Sequence, residues 1–416
     1  MPHFLAKLDS KPLEYPLIEG DFCFHKEFLS LKHPTKSCVY ASFKDHIFLL
    51  QKIRRAGDFL IKSEKATPLK REILKQALRI YSQSFEVISH NLQENSKHAS
   101  QKKALDLEAF EDFIHNNQAP ILAEIGFGSG RHLIELAKNN PTKTCLGIEI
   151  HTPSIAQALK QIELLDLKNL HILQGDGRLI LESMPNYKCE KIFVHFPVPW
   201  NEKKHRRVLS EKFLNEALRV LKPRGFLELR TDDSLYFEDS LKLALKNFKC
   251  EVEIKKNAQI PVVSKYEVRW NKLKKDIYDL RIYSLELDET PFDNHAFDFS
   301  FDTITMSKKS VKTILKTPKI IQEGYFVHVC NIYEDKGDFL VELSMGDFDW
   351  PVRLFVLLTE NQIFYLNKSP LKTLNNHKAH LLLQNILSQK ELDECDHRSE
   401  QSMLAIPAKR TGHQAC

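Results

Sequence analysis

The sequence predicts an α/β fold: a Rossmann-like, mostly parallel sheet with an antiparallel edge, preceded by an N-terminal extension and followed by a small β-rich domain. Three features predict it. From about residue 105 to 289, short apolar runs (ILAEIGF, TCLGIEI, LHILQGD, KIFVHFP, GFLELRTD) alternate with stretches of helical spacing (GRHLIELAKNN, TPSIAQALKQIELL, SEKFLNEALRVLK, DSLYFEDSLKLALKNF). Buried strands separated by helices imply right-handed crossovers and a parallel sheet covered on both faces. The last two runs, CEVEIKK and YDLRIYSLEL, have no helix between them and are expected to pair antiparallel at the edge. The first run opens into a turn with glycines at alternate positions, Gly126, Gly128 and Gly130.

The flanks lack this alternation. Residues 1–104 form the expected extension, with strand-like CVYASFKDHIFLLQKI and GDFLIK. A helix follows, with Pro68 in its first turn and apolar residues at Leu69, Ile73, Leu74, Ala77, Leu78 and Tyr81. Residues 290–389 form the expected β domain. Phe297, Phe299 and Phe301 alternate with polar residues and read as core. Phe339, Val341, Leu343 and Met345 alternate after a turn at EDKGD, and VRLFVLLTENQIFYLN reads as a hairpin. Residues 390–416 are expected to be a mobile tail.

Composition narrows the class. A chain of 416 residues, 42% of them hydrophobic, accommodates two or three packed domains, and disorder is not its default. A formal charge of +5 is informative only where cations cluster. The eight cysteines are scattered without a CxxC, as in a reduced, cytoplasmic protein. MPHFLAKLDSK lacks the apolar core of a signal peptide, and no run approaches the roughly 18 apolar residues of a membrane helix. The 18 histidines show no ligand spacing such as HExxH, so no metal is expected.

What the glycine turn holds is decided by the acids around it. A dinucleotide fingerprint places its third glycine at the sixth position, which here is Arg131, and no Lys-Ser/Thr closes a phosphate loop. Glu124 ends the first strand, Glu149 the second, and Asp176 follows the third. Beside a pyrophosphate such carboxylates would repel. Beside S-adenosylmethionine, with its sulfonium, its ammonium and no phosphate, they attract. Glu149 is placed to accept the ribose hydroxyls and Asp176 the adenine amino group, while the glycines let backbone approach the ligand. Each acid alone reads more readily as a cap or turn residue. Together with the turn they indicate a class I S-adenosylmethionine-dependent methyltransferase.

The fourth strand leads into VHFPVPWNEKKHRRVLSEKF. Pro197 and Pro199 stiffen the loop where methyl acceptors dock, and Trp200 can stack on a base. Lys203, Lys204, His205, Arg206 and Arg207 crowd behind it. Such a run is ordinarily a solvated face; beside a reaction centre it suits phosphates. A second basic stretch carries Lys255, Lys256, Lys265, Arg269, Lys272, Lys274, Lys275 and Arg281, with Tyr266 and Trp270 interleaved. A structured RNA fits that combination. The basic stretch at residues 52–71 reads equally as a solvated face or as added RNA contacts.

Five motifs in order, EIGFGSG, LGIEIHTPSI, FPVPWNEKKHRR, LRTDDSLYF and SKYEVR, resemble the bacterial tRNA (guanine-N7-)-methyltransferases, the TrmB family, in a long form with extra terminal segments. The resemblance covers about residues 115–287. It implies S-adenosylmethionine at Glu124, Gly126, Gly128, Gly130, Glu149 and Asp176. It implies tRNA contacts at Trp200, Lys203, Lys204, Arg206, Arg207, Asp232, Ser264, Lys265, Tyr266, Glu267 and Arg269, and 7-methylguanosine at guanine 46 of the variable loop as product. Two positions depart from the family pattern. Val198 stands where the family has a loop acid, and Glu202 where it has a lysine. No residue is therefore assigned a certain catalytic role, and Asp232 and Glu267 are the candidates to recognise the guanine. The alternatives are methylation of another RNA base and a catalytically silent tRNA-binding relative.

Overall fold

The structure is a computed structural model that describes residues 1–8, 13–67, 69–93, 104–258, 275–285, 297–302, 314–316, 319–348, 350–366 and 369–388. In chain order, the first strands are β1 (His3–Lys7), β2 (Leu17–Glu19), β3 (Phe22–Ser30), β4 (Lys36–Phe43), β5 (His46–Arg54) and β6 (Asp58–Ser63), followed by α1 (Arg71–Ser82) and β7 (Val87–His90). Next come α2 (Leu107–Asn116), β8 (Ile121–Ile125), α3 (Arg131–Asn139), β9 (Thr144–Glu149), α4 (Thr152–Leu164), β10 (Leu170–Gln174), α5 (Gly177–Ser183) and β11 (Cys189–His195). After these lie α6 (Glu211–Val220), β12 (Leu221–Thr231), α7 (Ser234–Asn247), β13 (Cys250–Lys256) and β14 (Tyr278–Ser284). The last are β15 (Lys319–Gln322), β16 (Tyr325–Asp335), β17 (Asp338–Asp347), β18 (Val352–Leu358), β19 (Ile363–Tyr365) and α8 (Leu374–Ser388).

Two compact units result. One comprises Asn95–Phe297 with Leu371–Thr373, and the other Met1–Glu94, Asp298–Pro370 and Leu374–Cys416. The first is the α/β unit. Its seven strands run β10-β9-β8-β11-β12-β14-β13, all parallel except β14. The chain starts at the central β8, steps out to β10, then returns past β8 to β11. That reversal opens a crevice at the strands' C-terminal ends between β8 and β9 on one side and β11 on the other. β8 is buried along its whole length, with Ile121, Ala123 and Ile125 in one core layer and Leu122 in the other. On β9, Gly147 leaves room for the layer above it, since a Cβ there would lie 2.3 Å from Leu133 and 2.9 Å from Phe127. The expected antiparallel edge is present, but β14 lies inside and β13 outermost. The reason is apolar content: Leu280 and Ile282 of β14 are fully buried, whereas most of β13 is exposed or half-buried.

In the second unit the two flanking segments form one twelve-stranded sheet, ordered β19-β18-β17-β16-β3-β4-β5-β6-β1-β7, with β15 on β16 and β2 on β3. The expected extension and the expected C-terminal β domain thus meet, Ser30 opposite Tyr333 and Leu29 opposite Glu334. Ser30 Oγ donates to Asn331 Oδ1 at 2.9 Å, Lys26 pairs with Asp338, and the Leu31 amide donates to the Ile332 carbonyl at 2.9 Å. Phe28, Cys38 and Leu49 share a core with Tyr333, Leu340, Phe355 and Leu357. The β18–β19 hairpin is as expected. The alternating phenylalanines are not a strand: Phe299 and Phe301 turn edge-on to His380 of α8. That helix is apolar on several sides and lacks the one-sided spacing that would have announced it. The six cysteines among the described residues are free, and residues 389–416 lie outside the described residues.

A shared core makes the two segments cooperative. Phe28→Ala is expected to cost about 3–5 kcal/mol and to speed amide exchange in β16–β18 as well as in β3–β5. If the C-terminal strands kept their full protection, the segments would be independent.

Candidate active site

Glu149 organises the glycine turn. Its carboxylate lies at the end of β9 and accepts three backbone amides: Gly128 at 2.9 Å, Ile150 at 2.8 Å and His151 at 2.9 Å. The turn runs through Gly126, Gly128 and Gly130 at φ of 70°, 53° and 70°, a left-handed path that a Cβ disfavours. A Cβ at Gly126 would meet open space, so the turn presents bare backbone above β8. Gly130 then opens α3.

Glu124 is 3% exposed at the end of β8 and would be an unpaired buried charge without His132, whose Nδ1 donates to Glu124 Oε2 at 3.0 Å. Burial opposes charge on His132, but the adjacent Glu124 carboxylate outweighs it and raises the imidazole pKa above its usual range. The His132 ring lies 4.4 Å from that of His195 at the end of β11. His195 Nε2 donates to Glu228 Oε1 at 2.9 Å, and Arg281 Nε donates to Glu228 Oε2 at 2.6 Å. Burial works against the Glu228 carboxylate, yet His195 and Arg281 hold its pKa down at about 2. These acid–base contacts and the His132–His195 ring contact connect β8, α3, β11, β12 and β14. Among the described residues, Glu124, His132 and His195 are the one group whose ligand atoms, within 4.8 Å of one another, could hold a metal. Sequence spacing gave no sign of it, because the three come from separate elements. In the structure two of its members are linked by the His132–Glu124 hydrogen bond, and the third is turned to Glu228.

The loop after β11 is tied down by its own arginine. Arg207 is 4% exposed and donates to the Pro199 carbonyl at 2.6 Å, Asn201 Oδ1 at 2.7 Å and Asp239 Oδ2 at 2.7 Å, with Tyr236 beneath it. Arg207, expected among the tRNA contacts, is buried here and braces the loop through these three acceptors. Lys204 is likewise paired, with Asp239 at 2.7 Å. Lys203 and Arg206 are exposed, and the Arg206 guanidinium lies 5.2 Å over the Trp200 ring. Val198 is 59% exposed.

The remaining expected residues divide. Asp176 caps α5 and takes a two-point ion pair from Arg178, with Nε to Oδ1 at 2.9 Å and Nη2 to Oδ2 at 2.7 Å, so it carries a cap role whatever else it binds. Asp232 follows β12 and accepts Lys275 at 3.0 Å. Asp233 accepts Asn201 at 2.8 Å, tying this turn to the loop after β11. Ser264, Lys265, Tyr266, Glu267 and Arg269 lie outside the described residues. The basic stretch around them is partly neutralised: Lys255 pairs with Glu253, Lys256 with Asp276, and Arg281 with Glu228 and Glu253.

The strand order, the glycine turn and the acids along the β8–β9–β10 ends define a class I methyltransferase fold. A family model described as "Putative methyltransferase" matches residues 118–280. A tRNA (guanine-N(7)-)-methyltransferase of Helicobacter pylori (strain J99) is 92% identical over 96% of this chain and 100% of its own length. Those of Helicobacter hepaticus and Campylobacter jejuni are 40% and 34% identical, over 94% and 93% of this chain and 100% and 98% of theirs. The chain belongs to the tRNA (guanine-N(7)-)-methyltransferase family. Among solved structures, an antibiotic-related methyltransferase matches with a TM-score of 0.34 at 18% identity, over 44% of this chain and 96% of that one.

The raised pKa of His132 means that the folded chain holds this proton more tightly than the unfolded one. The pair with Glu124 therefore contributes stability fully below the unfolded value, about 6.5, and loses it as pH rises through the folded value. His132→Gln is expected to lower the melting midpoint most near pH 6 and progressively less at higher pH. A deficit that is flat with pH would contradict this.

Proposed function

We propose that this chain moves the methyl group of S-adenosylmethionine to N7 of guanine 46 in the tRNA variable loop, in the cytoplasm. The observation that carries the reading is the Glu149 carboxylate fixed over a bare-backbone turn at a crevice rimmed by acids. The residues present fit this donor. Carboxylates suit its cationic groups, and the open face over Gly126 suits close approach of an adenosine. When bound, S-adenosylmethionine supplies a methyl carbon activated by a sulfonium.

The chain's own groups do the rest. Glu149 keeps a lone pair on Oε2 beyond its amide from Gly128, enough to accept a ribose hydroxyl. The Asp176 oxygens offer acceptors to an adenine amino group alongside Arg178. Glu124 accepts His132 through Oε2 and keeps Oε1 to accept the donor's ammonium.

Guanine N7 carries a lone pair and no proton, so the transfer needs no general base. It needs N7, methyl carbon and sulfur in line at about 3 Å. The N7–C bond forms as the C–S bond breaks, and the positive charge passes to the purine. A carboxylate helps by accepting the guanine's exocyclic donors and offsetting that charge. Val198 cannot, and Asp232, fixed at the end of β12 by Lys275, takes the role, with Glu267 as the second candidate. Trp200 offers a stacking face, and Lys203 and Arg206 the nearest exposed cations.

The test uses labelled S-adenosylmethionine and a tRNA transcript with guanine at position 46, followed by nucleoside analysis. Labelled 7-methylguanosine is expected, and none from a transcript with adenine there. A different methylated nucleoside, or no product, would overturn the reading. Asp232→Ala is expected to lower kcat/KM by roughly 10- to 100-fold, while Val198→Ala stays within about twofold. If Asp232→Ala together with Glu267→Ala left turnover unchanged, the guanine-recognition assignment would be wrong.

A further inference from the structure

The twelve-stranded sheet carries cations of two kinds. Lys7, Lys26, Lys44 and Lys52 each lie against a carboxylate, from Glu86, Asp338, Asp21 and Glu27. Lys32, Lys36, Arg54 and Arg55 are exposed and have no carboxylate within ion-pair reach among the described residues. They converge at one rim. Lys32 and His33 occupy the β3–β4 turn, Lys36 opens β4 opposite Ile53, and the Arg54 amide donates to the Thr35 carbonyl at 2.7 Å. Lys32 Nζ reaches across to the Cys330 carbonyl at 3.4 Å, and on the neighbouring strand Lys319 lies opposite His328.

Two histidines register the lysines around them. His33 is pushed below its ordinary pKa by burial and then by Lys36 and Lys32; His328 is pushed down by burial and then by Lys32 and Lys319. Glu342 opposes the shift at His33, but it is already held by Tyr333 and Arg353. Lys319 also sits 5.6 Å over the Phe326 ring, on which Phe348 stacks at 5.4 Å while remaining 47% exposed. Neighbouring like charges repel one another, so a cluster of them favours an anionic partner.

We propose that this rim binds the phosphate backbone of the tRNA substrate, with Lys32, Lys36, Arg54, Arg55 and Lys319 as the phosphate contacts and Phe348 as a stacking face. The proposal rests on the tRNA substrate given above. It assigns a task to part of the basic stretch at residues 52–71 that the methyl-transfer site leaves unused. A row of unpaired cations with an exposed aromatic suits an RNA backbone better than a folded protein, whose surface carries both signs.

The experiment compares the full chain with Lys36→Ala/Arg54→Ala/Arg55→Ala in binding a labelled tRNA transcript across a salt series, with methylation measured on the same samples. The variant is expected to bind roughly tenfold more weakly at moderate salt, and its log K against log salt to flatten by about 2 to 3. Its kcat at saturating tRNA is expected to stay within about twofold of the parent, and Lys36→Arg/Arg54→Lys/Arg55→Lys to retain binding. Unchanged affinity and slope in the alanine variant would overturn the proposal, as would loss of binding in the charge-conserving variant. Retained tRNA binding with loss of a co-purifying protein would assign the rim to a protein partner and overturn it too. If the parent makes 7-methylguanosine and the alanine variant keeps its KM for tRNA, the rim proposal falls and the function stands. No 7-methylguanosine from the parent removes both.

Discussion

The candidate site depends on one carboxylate and the amides it gathers. A three-glycine turn is a loose element by itself, because glycine loses the most backbone freedom on ordering. Glu149 offsets that loss by accepting Gly128 from the turn and Ile150 and His151 from its own strand end. Hydrogen bonds to a charged acceptor are the stronger kind. The turn is therefore set by β9 as much as by β8. Gly147 allows that strand to pack closely under Leu133 and Phe127, so small residues on β9 and glycines after β8 serve one arrangement.

Around that point the unit pairs its buried carboxylates with bases from other elements. Glu124 is held by His132, and Glu228 by His195 and Arg281, with the His132 and His195 rings side by side between the two groups. The loop after β11 is fixed differently. Arg207 binds it from below through Pro199 and Asn201, and Asn201 reaches Asp233 at the head of α7. Because the loop's shape comes from Arg207, an apolar Val198 at its tip changes its chemistry without loosening it.

Much of this was legible in the sequence, for reasons that can be named. The parallel strands announce themselves as short apolar runs, and β8 is buried at every position as such a run requires. Glu124, Glu149 and Asp176 could be placed because a strand's end is a local signal. Their partners could not. His132 follows the glycine turn by two residues and looked like an ordinary helix position, and nothing local links His195 to Glu228 across 33 residues. Arg207 sat in a basic run, and only Tyr236 and Asp239, a helix away, make it a brace. The union of the two flanking segments was hidden in the same way, since Ser30 meets Asn331 across 301 residues of chain. Periodicity reports one element's faces and says nothing about which distant element will cover them.

The central claim is that the Glu149 carboxylate both orders the glycine turn and receives the methyl donor. Calorimetric titration of S-adenosylmethionine into the full chain and into Glu149→Ala tests it most directly. The account predicts a saturable heat for the parent and an affinity lowered at least about a hundredfold, or roughly 3 kcal/mol, in the variant, with the twelve-stranded unit still folded. Equal affinity in the two proteins would contradict it.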